Sequence, residues 1–243
     1  MSHLNRLARQ PLVGLALVLF VLRLVAAPPS PAVAPETSVH PGINDEYLKP
    51  GLVVTQWVER FESEGREIYA QRARIVTAAQ LKPGARVADI GAGTGLFTLR
   101  FAQAVGPRGK VYAVDIVKDF LAYINERATA AGLTNIQTVL GTDRSIVLPP
   151  NSVDTAFVCD VYHHFEYPQS SLASIHRALR PGGQLVVVDF KRIPGQTSAW
   201  VLNHVRASQE QVTAEIQAAG FQLIDAPDFL RQNYLLRFRK VGR

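Results

Sequence analysis

The sequence predicts an α/β domain built on a doubly wound, mostly parallel seven-stranded sheet. Three observations carry this. Short runs rich in Val, Ile and Leu alternate with helical segments from residue 86 onward, the pattern of strands covered on both faces. The first run breaks into Asp89-Ile90-Gly91-Ala92-Gly93-Thr94-Gly95, an acid and three alternate glycines that open onto a helix. The 243 residues, 47% hydrophobic, suffice for one such core plus an extension.

The elements follow in order. Residues 40–50 are loop-like, with turn residues at Pro41-Gly42 and Asn44-Asp45. Helices are predicted over 53–61 and 64–81; in the second, Ile68, Arg72, Ile75, Ala78 and Ala79 form a mixed apolar stripe, and Lys82-Pro83-Gly84 ends it. Strands over 86–90, 110–114, 136–140, 155–159 and 184–190 alternate with helices over 96–105, 118–131 and 168–179. A helix over 209–219 precedes the last two strands, 221–225 and 234–240. These have no helix between them and are expected to pair antiparallel. Tyr234, Leu236 and Phe238 alternate with Leu235, Arg237 and Arg239 as on an edge strand, which reads the arginines as a solvated face. Without aromatic partners beside them, a nucleic-acid groove is not expected.

A ligand is expected past the carboxyl ends of the strands, beside the glycine turn. A dinucleotide fingerprint needs a third glycine where Leu96 stands, and a P-loop needs Lys-Ser/Thr after Gly95. Asp89 is an anion where a pyrophosphate would sit, so the turn favours a cationic ligand such as an amine or sulfonium. Gly91, Gly93 and Gly95 let the backbone approach it.

At these residues the chain resembles the class I S-adenosylmethionine-dependent methyltransferases. VADIGAGTG (87–95) is similar to their first motif and VYAVDI (111–116) to their second strand. GTDRSIVLPPNSVD (141–154) is similar to the adenine-side loop, VCDVYHHF (158–165) to the strand bordering the methyl acceptor, and LRPGGQLVVVDF (179–190) to the turn and strand beyond. The resemblance implies a Rossmann-like methyltransferase fold over residues 81–243, with S-adenosylmethionine as cofactor and a small-molecule methyl acceptor as partner. It implies a cofactor site of Asp89, Gly91, Gly93, Gly95, Asp115, Ile116, Asp143 and Asp160. Asp115 would take the ribose hydroxyls, since a carboxylate accepts two hydrogen bonds; the alternative is an N-cap for the following helix. Ile116 would pack on adenine. Asp143 would accept from the adenine amino group, or be a plain loop acid.

On the acceptor side stand Tyr162, His163 and His164. Methyl transfer is a displacement in which alignment dominates, but a proton-bearing acceptor needs a base, and histidine suits that role near neutral pH. His163 and His164 are therefore the candidate catalytic residues; the alternative is that one packs and the other only lines the site. Residues 35–80 read as a helical extension over the acceptor, where His40, Tyr47 and Trp57 supply aromatic walls that suit a planar acceptor or simple packing. Tyr69 and Arg72 could reach the methionine carboxylate, or Arg72 could pair with Glu64 or Glu67 at the surface. A metal cluster drawn from Cys159, Asp160, His163, His164 and His40 has permissive spacing but no second ligand group, and no metal is expected.

Residues 1–34 read as a signal peptide or membrane anchor with a Pro/Ala linker. Arg6 and Arg9 precede an apolar run over 11–22, short for a membrane span, then Arg23 and small residues. This favours an exported or membrane-anchored protein on the extracytoplasmic side, whereas the cytosolic origin of the methyl donor favours the cytoplasmic face. Cys159 is the only cysteine, so no intrachain disulfide forms. The leading function is a methyltransferase acting on a small, lipophilic molecule. The alternative is a non-catalytic S-adenosylmethionine- or nucleoside-binding protein of the same fold. A nicotinamide-dependent oxidoreductase is disfavoured by Leu96 and Asp89.

Overall fold

The computed structural model describes residues 35–242. The signal-like segment at residues 1–34 lies outside them, as does Arg243. Residues from Glu36 onward cluster into one compact unit, so the N-terminal extension packs as part of the same body as the sheet.

Seven strands form one sheet in the order β3-β2-β1-β4-β5-β7-β6. They are β1 (Arg86–Ile90), β2 (Lys110–Asp115), β3 (Ile136–Leu140), β4 (Val153–Cys159), β5 (Leu179–Phe190), β6 (Phe221–Asp225) and β7 (Asn233–Lys240). The first five pair in parallel, and β7 runs antiparallel to both β5 and β6. The order reverses between β1 and β4, and a crevice lies beyond the carboxyl ends of these strands.

Successive residues of each strand feed opposite faces. Ala88, Ala156, Val158, Leu185 and Val187 join one apolar layer with helices α6 (Pro168–Ala178) and α8 (Gln209–Ala218). Val87, Val111, Phe157, Val186 and Val188 join the other, with Phe97 and Phe101 of α4 (Leu96–Val105). This two-sided burial is why the strands read as continuous apolar runs. The remaining crossover helix is α5 (Lys118–Ala130).

Three expectations need correction. The predicted helix over 64–81 is two short helices, α2 (Glu67–Ala70) and α3 (Arg72–Ala78), and follows α1 (Val54–Phe61). Arg66 is extended (φ −92°, ψ 123°), which turns its side chain toward the sheet. Strand β7 is interior, since β6 lies beyond it; Arg237 is 8% exposed and faces Asp225 at 3.5 Å, so it is not a solvated arginine. A further helix, α7 (Ala199–His204), forms in a segment with no predicted element. It is too short to show a period, and Ser198 caps it by accepting from the Val201 N–H.

The extension is bonded onto the sheet's C-terminal edge. The Glu36 carboxylate accepts from the N–H groups of Gln169 and Ser170 in the first turn of α6 (both 2.8 Å). Glu67 accepts from the backbone N–H groups of Arg231, Gln232 and Asn233 at 2.6, 2.7 and 3.0 Å, holding α2 against the start of β7. Among the described residues, no helix is long and apolar enough to cross a membrane.

Candidate active site

The crevice is a single cavity of about 560 Å³, within the size range of small-molecule sites. Its floor is the glycine turn between β1 and α4. Gly91 has φ +66°, and a Cβ there would lie 2.5 Å from both methyl carbons of Val161. Only glycine tolerates both the dihedral and the approach of the turn that follows β4. Gly95 (φ +86°) caps α4 and faces Ile124; it does not line the cavity, so its part in the site is to seat the helix. Gly93 does line it, and its N–H donates to Asp115 Oδ2 at 2.8 Å.

Asp115 ends β2. Its other oxygen accepts from the Val117 N–H at 2.9 Å. It is not the N-cap of α5; Val117 holds that position and has no side-chain cap. The carboxylate instead ties two loops together at the cavity wall, with lone pairs left for a ligand hydroxyl. Burial pushes its pKa up to about 6, against the backbone hydrogen bonds from Gly93, Val117 and Ile116.

Asp89 is 3% exposed and accepts from Thr98 Oγ1 at 2.6 Å. Burial pushes its pKa up to about 7; the Thr98 hydrogen bond opposes this and the nearby Asp115 adds to it. The sequence argument treated Asp89 as a standing anion. In the fold burial favours its protonated form, and an arriving cation would favour the ionised one. Ile116 and Asp143 also line the cavity.

The extension reaches the glycine turn through a network that the sequence did not announce. Arg127 of α5 pairs with Glu62 (2.5 Å) and donates to the Thr94 carbonyl (2.9 Å), while Thr94 Oγ1 donates to Glu62 (2.7 Å). Arg66 pairs with Asp160 at 2.5 Å, and Asn233 Nδ2 donates to the other Asp160 oxygen at 2.7 Å. Asp160 has φ +51°, a left-handed conformation that aspartate tolerates and these two partners hold. Its pKa is raised by burial against the pull of Arg66.

The same cavity is lined by three histidines, His163, His164 and His204. His163 Nδ1 meets Asp189 Oδ1 at 2.7 Å, both side chains are buried, and the His163 N–H donates to the second oxygen at 3.1 Å. Asp189 thus orients one ring nitrogen and leaves Nε2 on a residue that lines the cavity. His164 lies beside it (ring centroids 4.3 Å apart), and Asn44 of the extension bonds the His164 carbonyl. Burial, then the neighbouring His163, His204 and His40, lower the His164 pKa to about 2; burial and the same kind of neighbours lower that of His204 to about 4. Trp200 stacks on His204 at 4.6 Å, and both line the cavity with Tyr47, Phe165 and Phe190.

Several sequence-predicted residues fall elsewhere. Tyr162 is 1% exposed, sits in the core and donates its hydroxyl to Glu215 (2.7 Å), so it is no acceptor wall. It faces inward because the 3-10 turn at Tyr162–His164 spaces successive side chains about a third of a turn apart, so that Tyr162 enters the core while His163 and His164 reach the cavity. Trp57 stands behind the wall, packed on Tyr47 (4.6 Å) and on Phe61, which does line the cavity. His40 is outside the lining and its Nδ1 is buried. Arg72 takes the surface alternative, 3.8 Å from Glu64 and over the Tyr69 ring. Cys159 lines the cavity, but burial raises its thiol pKa and makes it a poor nucleophile. Arg66, Glu62, Asp189 and His204 were missed. Trp200 and His204 stand four residues apart, a spacing that puts two rings on one helical face and could have flagged them.

Residues 88–187 match the family model described as "Methyltransferase domain". Over 124 residues the chain is 31% identical to the ubiquinone/menaquinone biosynthesis C-methyltransferase UbiE of Burkholderia mallei (strain SAVP1), covering 51% of each chain. The chain thus spans about half the length of the curated relatives it matches. Among solved structures, a SAM-dependent methyltransferase from Aquifex aeolicus superposes with a TM-score of 0.69 at 22% identity, over 78% of this chain and 100% of that one. The [4+2]-cyclase SpnF superposes with a TM-score of 0.62 at 21% identity, over 72% of this chain and 82% of that one. At these identities the superpositions speak to the fold.

Proposed function

From the premise that residues 88–187 form a class I S-adenosylmethionine-dependent methyltransferase domain, we propose that the protein transfers a methyl group to a small, largely apolar ring-bearing molecule. One observation carries this reading: a single cavity joins the glycine turn, Asp89 and Asp115 to His163, His164 and an aromatic wall.

The donor would be held by this chain's own groups. Gly91 and Gly93 would let it approach the backbone, Asp115 would accept from ribose hydroxyls, Ile116 would pack on the base and Asp89 would balance the positive charge. S-adenosylmethionine, when bound, supplies a methyl carbon activated by a sulfonium. The protein's task is alignment: Tyr47, Phe165 and Phe190 orient a planar acceptor so that its nucleophilic atom faces that carbon in line. As the new bond forms, the carbon–sulfur pair returns to sulfur. An acceptor that carries a proton gives it up at the histidine face, where Asp189 fixes the His163 ring.

The apolar wall supports a lipophilic acceptor. The basic and apolar character of residues 1–34 supports export or membrane tethering, which fractionation of cells expressing the full chain would check. Purified protein is to be titrated with S-adenosylmethionine and then incubated with methyl-labelled donor and a panel of phenols and quinols. Saturable binding and label on an acceptor are expected. Tight binding of ATP or NADH with the methyl donor ignored would overturn the reading. Donor binding without transfer to any acceptor in a cell extract would favour the non-catalytic alternative.

A further inference from the structure

We propose that His163, His164 and His204 form a binding site for one divalent transition-metal ion of the zinc or cobalt type. The three residues come from two elements far apart in sequence, the turn after β4 and the end of α7, and each offers one nitrogen within 4.8 Å of the others. Their ring centroids lie 4.3, 5.1 and 5.1 Å apart. A tetrahedral zinc with nitrogens at about 2.0–2.1 Å holds those nitrogens about 3.3 Å apart, so movements of about an ångström close the site.

Two further features point to a ligand. The first is His164 Nδ1, which is buried with no hydrogen-bond partner among the described residues. Such an atom is costly unless something pairs with it. The second is the bond from His163 Nδ1 to Asp189 at 2.7 Å, the carboxylate–histidine arrangement that directs the other ring nitrogen at a metal and raises its basicity. The all-imidazole set favours zinc, cobalt or copper over magnesium or calcium, which prefer oxygen.

Three protein ligands leave a fourth position facing the cavity, as in catalytic rather than structural zinc sites. The consequence for chemistry rests on the proposed function, though ion binding itself does not. A hydroxyl-bearing acceptor in the fourth position would lose its proton to water more easily, and the resulting metal-bound oxygen would be the nucleophile. His163 would then serve as ligand instead of base.

The test uses the full chain after dialysis against a chelator. Cobalt(II) is titrated while its visible d–d absorption is followed, and zinc by calorimetry. One ion per chain is expected, with strong tetrahedral-type cobalt bands. His204→Ala and His164→Ala are expected to weaken binding by at least about 100-fold, and Asp189→Asn by about 10–100-fold. His176→Ala, at a histidine packed on Phe221 instead, is expected to leave it unchanged. Titration of each variant with S-adenosylmethionine shows that the fold persists. No saturable ion binding, or stoichiometric binding that His204→Ala leaves intact, would overturn the inference. Donor binding without ion binding would sink this site alone; ion binding without donor binding would sink the methyltransferase reading alone.

Discussion

Replacing Asp89 by asparagine should move stability and donor affinity in opposite directions. The side chain keeps its size and an oxygen to accept from Thr98, now 2.6 Å away, but can no longer ionise. With a folded pKa of about 7 against an ordinary 3.8, native Asp89 holds a proton that the unfolded chain has released. Stability therefore falls as pH rises from about 4 to about 7, by about 4 kcal/mol in all. Between pH 5 and pH 8 the wild type should lose about 3 kcal/mol relative to Asp89→Asn, read as urea midpoints at each pH. Binding works the other way. A ligand cation about 6–8 Å from the carboxylate gains about 2–3 kcal/mol at an effective dielectric near 20, so the variant should bind S-adenosylmethionine about 30–100-fold more weakly above pH 8. Because only ionised Asp89 gains this attraction, wild-type affinity should drop about 10-fold from pH 8 to pH 6 through this residue. The donor's own titration and that of Asp115 are common to both proteins and cancel in their ratio. Equal pH slopes in wild type and variant, together with no gain in stability at pH 8, would refute the idea that burial poises this acid.

Three other perturbations follow from particular contacts. Gly91→Ala should destabilise by about 1–3 kcal/mol, from the φ of +66° and the 2.5 Å approach to Val161; adding Val161→Ala should recover the steric part only, as chemical melts would show. Asp115→Ala removes the acceptor for the Gly93 and Val117 N–H groups as well as the proposed ribose acceptor, so melting and donor calorimetry should both worsen, by about 1–3 kcal/mol for stability. Arg127→Met should leave Glu62 without its cation beside the glycine turn; a loss of about 2–4 kcal/mol and weaker donor binding are expected, and Glu62→Gln on top should restore part of the stability.

The core strands were legible because burial on both faces leaves a continuous apolar signature, and β1 with its acid and glycines was legible because a φ above zero beside a ligand leaves few residue choices. The resemblance to a known family rested on those same blocks, and of the residues it singled out there, Asp89, Gly91, Gly93, Asp115, Ile116, Asp143 and Asp160 line the cavity while Gly95 does not. What only the tertiary structure decided is the other half. Tyr162 and His163 are neighbours in sequence, yet one enters the core and the other the cavity, because a 3-10 turn rotates them apart. Arg66 meets Asp160 across 94 residues, and His204 meets His163 from a helix with no readable period. Position in the chain carries no trace of such meetings, since they depend on which loops the strand order places at one end of the sheet. The charge of Asp89 belongs with them: its letter promises an anion, but burial and the nearby Asp115, opposed by the Thr98 hydrogen bond, raise its pKa.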